Sequence, residues 1–78
     1  MIAKLTGTID EIGTDNIVLD VQGVGYLVFC SSRTIGAIGS KGDGATIYTE
    51  MQVSETDMRL MGFASGSERD WFRLLISV

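Results

Sequence analysis

Histidine and proline are both missing from this chain of 78 residues, and cysteine occurs once. Without histidine the commonest general base is gone, and neither a Ser-His nor a Cys-His nucleophile pair can be assembled. A lone Cys30 cannot close an internal disulfide, which excludes a disulfide-stapled miniprotein and makes a reducing cytoplasm the simplest compartment. Cys30 also lies in an apolar run, where a thiol behaves as a small hydrophobe. One cysteine and no histidine leave only scattered carboxylates, so neither a metal centre nor a bound cofactor is expected. Positive charge is scarce too: six Lys and Arg against ten Asp and Glu leave a net charge of −4. That balance argues against a nucleic-acid binder working by charge alone. No apolar run approaches the ~20 residues of a membrane span, and Met1-Ile2-Ala3-Lys4 opens straight into strand-like sequence without a signal peptide. Catalysis by this chain alone is not expected.

What the chain does have is a globular composition, with 45% hydrophobic and 21% charged residues. Its length suits one small domain, or one domain and a fragment of another. A core of that size buries roughly 60% of the surface exposed by the unfolded chain, which is marginal without partners. Glycine is frequent, at ten residues, and suits a small sheet with tight turns.

Period-two alternation marks the strands. Met1, Ala3, Leu5, Gly7 and Ile9 share one face, with Ile2, Lys4, Thr6 and Thr8 on the other. The phase slips at Asp10-Glu11-Ile12, at a bulge or at the strand end. Gly13-Thr14-Asp15-Asn16 reads as a turn. Ile17, Leu19 and Val21 then alternate with Asn16, Asp20 and Gln22. Gly23-Val24-Gly25 reads as a tight hairpin, and Tyr26-Leu27-Val28-Phe29-Cys30 is apolar on both faces, as expected of the most central strand. Ser31-Ser32 can cap a short helical turn through Arg33, Thr34 and Ile35, stopped by Gly36. After a loop from Gly39 to Gly44, Ala45, Ile47, Thr49, Met51 and Val53 alternate with Thr46, Tyr48, Glu50 and Gln52. The polar tip Ser54-Glu55-Thr56-Asp57 leads into Met58-Arg59-Leu60-Met61-Gly62-Phe63. Five strands with a helix between the third and fourth follow the order of a five-stranded Greek-key barrel of the oligonucleotide/oligosaccharide-binding (OB) kind. The fold class expected is therefore mainly β, with an SH3-like barrel as the nearest competitor.

From residue 64 the period changes. Ser65 and Glu68 form a candidate capping box, with Ser67 and Asp70 as an alternative start. Trp71, Phe72, Leu74, Leu75, Ile76 and Val78 follow at helical spacing on a broad apolar face without a stop signal. Residues 1–63 thus read as the barrel. Residues 64–78 read as a linker and the first helix of an incomplete second domain, whose remainder would cover that face, with a helix of a short protein docking back on the barrel as the alternative.

Two loops carry candidate chemistry. Gly39-Ser40-Lys41-Gly42-Asp43-Gly44 is rich enough in glycine for a phosphate cradle, but a strand follows it where such a cradle needs a helix, so it reads as a turn. The tip Ser54-Glu55-Thr56-Asp57 is either a solvated turn or a negative point held away from the barrel by a long hairpin. The residues alone leave those two readings open.

Met1-Ile2-Ala3-Lys4-Leu5-Thr6-Gly7, Gly23-Val24-Gly25-Tyr26, Leu60-Met61-Gly62-Phe63 and Ser67-Glu68-Arg69-Asp70-Trp71-Phe72-Arg73-Leu74-Leu75 bear on that choice. At these spacings they resemble the N-terminal part of the RuvA family, the bacterial Holliday-junction-binding subunits of the RuvAB branch-migration complex. No single stretch is specific, but four in register across the chain are.

The resemblance implies an OB-fold domain, then a helix-hairpin-helix domain, then a mobile C-terminal domain that contacts the RuvB ATPase. It implies a homotetramer, alone or paired with a second, holding a four-way DNA junction open during recombination and repair. ATP is then used by RuvB, with no cofactor in this chain. It also implies an acidic pin at the last hairpin of the barrel, which maps here to Glu55 and Asp57. The family's usual pair is two adjacent acids, whereas Thr56 intervenes here, and Ser54 replaces a basic residue common before the pair. Either the turn brings Asp57 into the second place, or one carboxylate is displaced. Steering DNA by repulsion requires carboxylates without Arg partners. Lys4 and Arg59 are candidates for contacts to DNA phosphates, against the plainer reading of both as surface cations. Two readings of other classes stand beside this one: a barrel that serves only oligomerisation, and a single-strand or oligosaccharide module. The latter is disfavoured because Tyr26, Phe29, Tyr48 and Phe63 are few for stacking and Phe29 is expected to be buried.

Overall fold

A computed structural model describes residues 2–76. Met1, expected on the first strand, and Ser77 and Val78, expected on the last helix, lie outside the described residues. Strands β1 (Lys4–Ile12), β2 (Asn16–Val21) and β3 (Val24–Phe29) precede helix α1 (Ser32–Ile38). Strands β4 (Gly44–Val53) and β5 (Met58–Phe63) and helix α2 (Gly66–Ile76) follow. The strands close in the order β1-β2-β3-β5-β4. All neighbours are antiparallel except β3 and β5, whose parallel contact pairs Phe29 with Met61. This is the OB arrangement, so the SH3-like alternative falls.

Closure depends on β1, which serves two neighbours in turn. Lys4 to Thr8 pair with β4, and Thr8 to Ile12 pair with β2 across a register shift between Ile9 and Glu11. The phase slip in the sequence is therefore a bulge within the strand, which bends it from one partner to the next. Loop 39–44 seals this corner: Ile9 N–H donates to the Asp43 carbonyl at 2.9 Å and Gly42 N–H to the Ile9 carbonyl at 2.8 Å. The glycine-rich loop is thus tied to the barrel by its backbone.

Leu5, Ile9, Ile17, Leu19, Val28, Cys30, Ile47 and Leu60 fill the interior. Gly62 is the one place on β5 where no side chain fits. A Cβ there would meet Val28 Cγ1 at 2.5 Å, Ile47 Cγ2 at 2.8 Å and Cys30 Sγ at 2.9 Å. Burial pushes the Cys30 thiol up from 9.0 to about 11, so it stays protonated among these side chains. Thr49 is fully buried yet satisfied, because its hydroxyl donates to the Ile2 carbonyl at 2.7 Å.

Three expectations change. Helix α1 runs through Gly36 to Ile38, with Ser31 as its cap and Gly39, at a positive φ of 122°, at its end. Ile35 and Ile38 both pack on the core, which carries the helix past the glycine. The β2–β3 turn is formed by Gln22 and Gly23, both at positive φ (53° and 88°), with Val21 paired to Val24. Val24 and Gly25 consequently belong to β3. Finally, β3 is not a central strand, since a closed barrel has none. Val28 points inward and is fully buried, whereas Leu27 is 51% exposed on the outer wall.

Candidate nucleic-acid interface

Strands β4 and β5 form a hairpin whose last register pair is Val53 with Met58. Ser54 N–H donates to the Asp57 carbonyl at 2.8 Å, and the Ser54 hydroxyl also reaches that oxygen, at 3.2 Å. The turn so closed has Glu55 and Thr56 at its apex. Glu55 is exposed there. Among the described residues, no side chain is hydrogen-bonded or ion-paired to it.

Asp57 differs. It sits at the closing position, with one carboxylate oxygen accepting from Met58 N–H at 2.9 Å and the other from Arg59 Nε at 2.6 Å. The Arg59 hydrogen bond, reinforced by the Met58 amide and the Arg59 charge, holds the carboxyl below its ordinary value of 3.8. Thr56 thus separates an apical Glu55 from an Asp57 that is held at the closing position by Arg59. The requirement that both carboxylates stand clear of Arg partners is met by Glu55 and not by Asp57. Both remain on the surface: the Asp57 side chain is 50% exposed.

The two candidate cations are placed differently. The Arg59 guanidinium carbon lies 4.8 Å from the centroid of the Phe29 ring, so Arg59 is engaged on both sides. Lys4 is exposed at the start of β1, opposite Tyr48. The tip lies beyond Val53, about 17 Å further along β4 at strand rise, so Lys4 and the hairpin tip are separate features of the surface. Phe29, expected to be buried, is half-buried on the outer wall instead, because β3 closes against β5 there. The other aromatics are engaged as well. Tyr26 packs against the core, Arg69 covers Tyr48 at 5.6 Å, and Phe63 meets Phe72 at 5.2 Å. No open stacking platform is formed by these four rings, consistent with discounting a single-strand module.

A second polar cluster joins α2 to the barrel, and the sequence reading missed it. Ser65 caps the helix, its hydroxyl accepting from Glu68 N–H at 3.2 Å, which makes half of the expected capping box. Arg73 Nε donates to Glu50 on β4, whose side chain is only 10% exposed. Arg69 Nη1 donates to the Ala3 carbonyl at 2.8 Å. With Phe72 against Phe63, these contacts fix the helix on the β4–β5 wall. Trp71, Leu75 and Ile76 are left 51–70% exposed. Alternation along β4 places Glu50 outside the barrel, but only the fold brings Arg73 to it.

A closed five-stranded barrel, with an acid-tipped β4–β5 hairpin and a C-terminal helix fixed to its wall, places the domain in the OB class, whose members include binders of oligonucleotides and of oligosaccharides. The RuvA N-terminal domain family matches residues 1–62, and the chain belongs to that family. It is 64% identical over all 78 residues to a protein of Erythrobacter litoralis. It is 60% and 58% identical, over the same 78 residues, to proteins of Novosphingobium aromaticivorans and Rhizobium meliloti. Each of these relatives is named Holliday junction branch migration complex subunit RuvA. The chain spans 38–39% of their lengths.

Proposed function

We propose that this chain is the barrel portion of a Holliday-junction-binding subunit, acting without chemistry of its own in recombination and repair in the cytoplasm. The protein assembles as a homotetramer, alone or in pairs, around a four-way DNA junction. A RuvB-type ATPase partner, contacted by a C-terminal domain, uses ATP to drive migration. Residues 64–78 begin the helix-hairpin-helix domain, and the exposed Trp71 and Leu75 are covered by its remainder. That domain supplies most of the affinity through backbone amides and cations on phosphates, because a barrel within a chain of net charge −4 is poorly suited to it.

The observation that carries this reading is the free Glu55 carboxylate at the apex of a stiff hairpin. Four such tips around a symmetry axis place four carboxylates where the strands exchange. Each one facing a phosphate at ~7 Å contributes roughly 0.6 kcal/mol of repulsion in water and about 2.4 kcal/mol at an effective dielectric of 20. That biases strands towards their exit paths without expelling the junction. The test is Glu55→Gln in the full-length protein. Preserved or tighter junction binding with altered branch migration is expected, and lost binding would mean that the carboxylate attracts or coordinates something.

A further inference from the structure

On the outer wall, the parallel pairing of Phe29 with Met61 brings β3 beside β5. Arg59 lies two residues before Met61 and hence on the same face of β5. Its guanidinium reaches the Phe29 ring, at 4.8 Å from the centroid, while its Nε is bonded to Asp57 at 2.6 Å. The three residues form a continuous link from the barrel wall to the closing position of the hairpin turn. An exposed ion pair alone contributes little to stability. Here the ring restricts the cation, and Asp57, one residue before β5, is bonded to it directly.

We propose that Arg59 is the positioning residue of the hairpin tip: seated on Phe29, it draws the Asp57 carboxylate back against β5 and leaves Glu55 as the free carboxylate at the apex of the tip. The functional half of this statement rests on the pin reading above, whereas the brace itself does not. Within the brace, Asp57 is neutralised by an adjacent cation and contributes little repulsion. Each subunit then carries one repelling charge at its tip where the usual pair of adjacent acids would supply two.

Two measurements on the full-length protein test this. The first needs no DNA: an NMR titration of the Asp57 carboxyl in wild type and in Arg59→Gln. The wild-type group titrates below the ordinary aspartate range, and Arg59→Gln raises it towards that range, with Phe29→Leu moving it part of the way. An Asp57 titration unmoved by Arg59→Gln overturns the proposal. The second follows binding to a synthetic four-way junction by fluorescence anisotropy. Arg59→Gln uncovers a carboxylate and weakens binding roughly three-fold for each one that faces a phosphate at ~7 Å in water. Adding Asp57→Asn to Arg59→Gln restores wild-type affinity, because a neutral pair replaces a neutralised one. Weakening that Asp57→Asn does not reverse identifies Arg59 as a phosphate ligand and overturns the positioning role. If the titration responds as expected while Glu55→Gln leaves the junction unaffected, the brace stands and the pin reading falls.

Discussion

Removing Arg73 should loosen helix α2 more than removing its partner Glu50. The Glu50 side chain is 10% exposed and Arg73 is 37% exposed, so the two ends of this ion pair stand in different surroundings. Arg73→Ala leaves a carboxylate enclosed without its cation. Breaking a fully buried pair in this way costs about 3–5 kcal/mol. Water already reaches the Arg73 end, which lowers the expected cost to about 1–3 kcal/mol. Glu50→Ala leaves a guanidinium that can turn to solvent or towards Asp70, already 3.7 Å away, at a cost of about 1 kcal/mol or less. An undocked helix of 11 residues is marginal in water, so lost docking should appear as fraying. Hydrogen exchange resolved to α2 peptides in the full-length protein reads this directly. Arg73→Ala should speed exchange there roughly 5- to 150-fold relative to the barrel strands, and Glu50→Ala no more than about five-fold. Equal effects, or a larger one for Glu50→Ala, would refute the asymmetry.

The barrel interior supplies two further predictions. Gly62→Ala drives a methyl group against Val28, Ile47 and Cys30 and should destabilise the fold by about 1–3 kcal/mol in urea unfolding; an unchanged midpoint would show that the three neighbours yield freely. Cys30 should resist an aromatic disulfide reagent at pH 8 until the protein is unfolded, and its raised pKa adds a pH effect of definite sign. The thiol is favoured in the fold, so its contribution to stability is complete below pH 9.0 and is lost as pH rises from there to about 11; stability that rises across this window would contradict the burial.

The strands were legible because inward positions recur every second residue, and Leu5, Ile9, Ile17, Leu19, Val28, Ile47 and Leu60 are where that alternation puts the core. Closure was not legible. Leu27 looks like a core residue in a run apolar on both faces, and only the strand order shows that its face is the outside of a barrel. Gly36 reads as a helix stop until Ile38 is seen packing on the core one turn beyond Ile35. At the tip, the position of Glu55 followed from the hairpin itself. The Asp57–Arg59 pair had a signal that was present but unused, since opposite charges stand two residues apart where the turn enters β5. The Phe29 platform beneath Arg59 had none, because it depends on a parallel contact between strands far apart in sequence.

The repulsive role of the tip is tested most directly by the salt dependence of junction binding in full-length wild type and Glu55→Gln. If Glu55 pushes on phosphates, the variant binds the four-way junction at least as tightly at low salt, and its advantage shrinks as salt screens the charge. A variant that binds more weakly at low salt, with the deficit closing as salt rises, would show attraction at the tip and contradict the account.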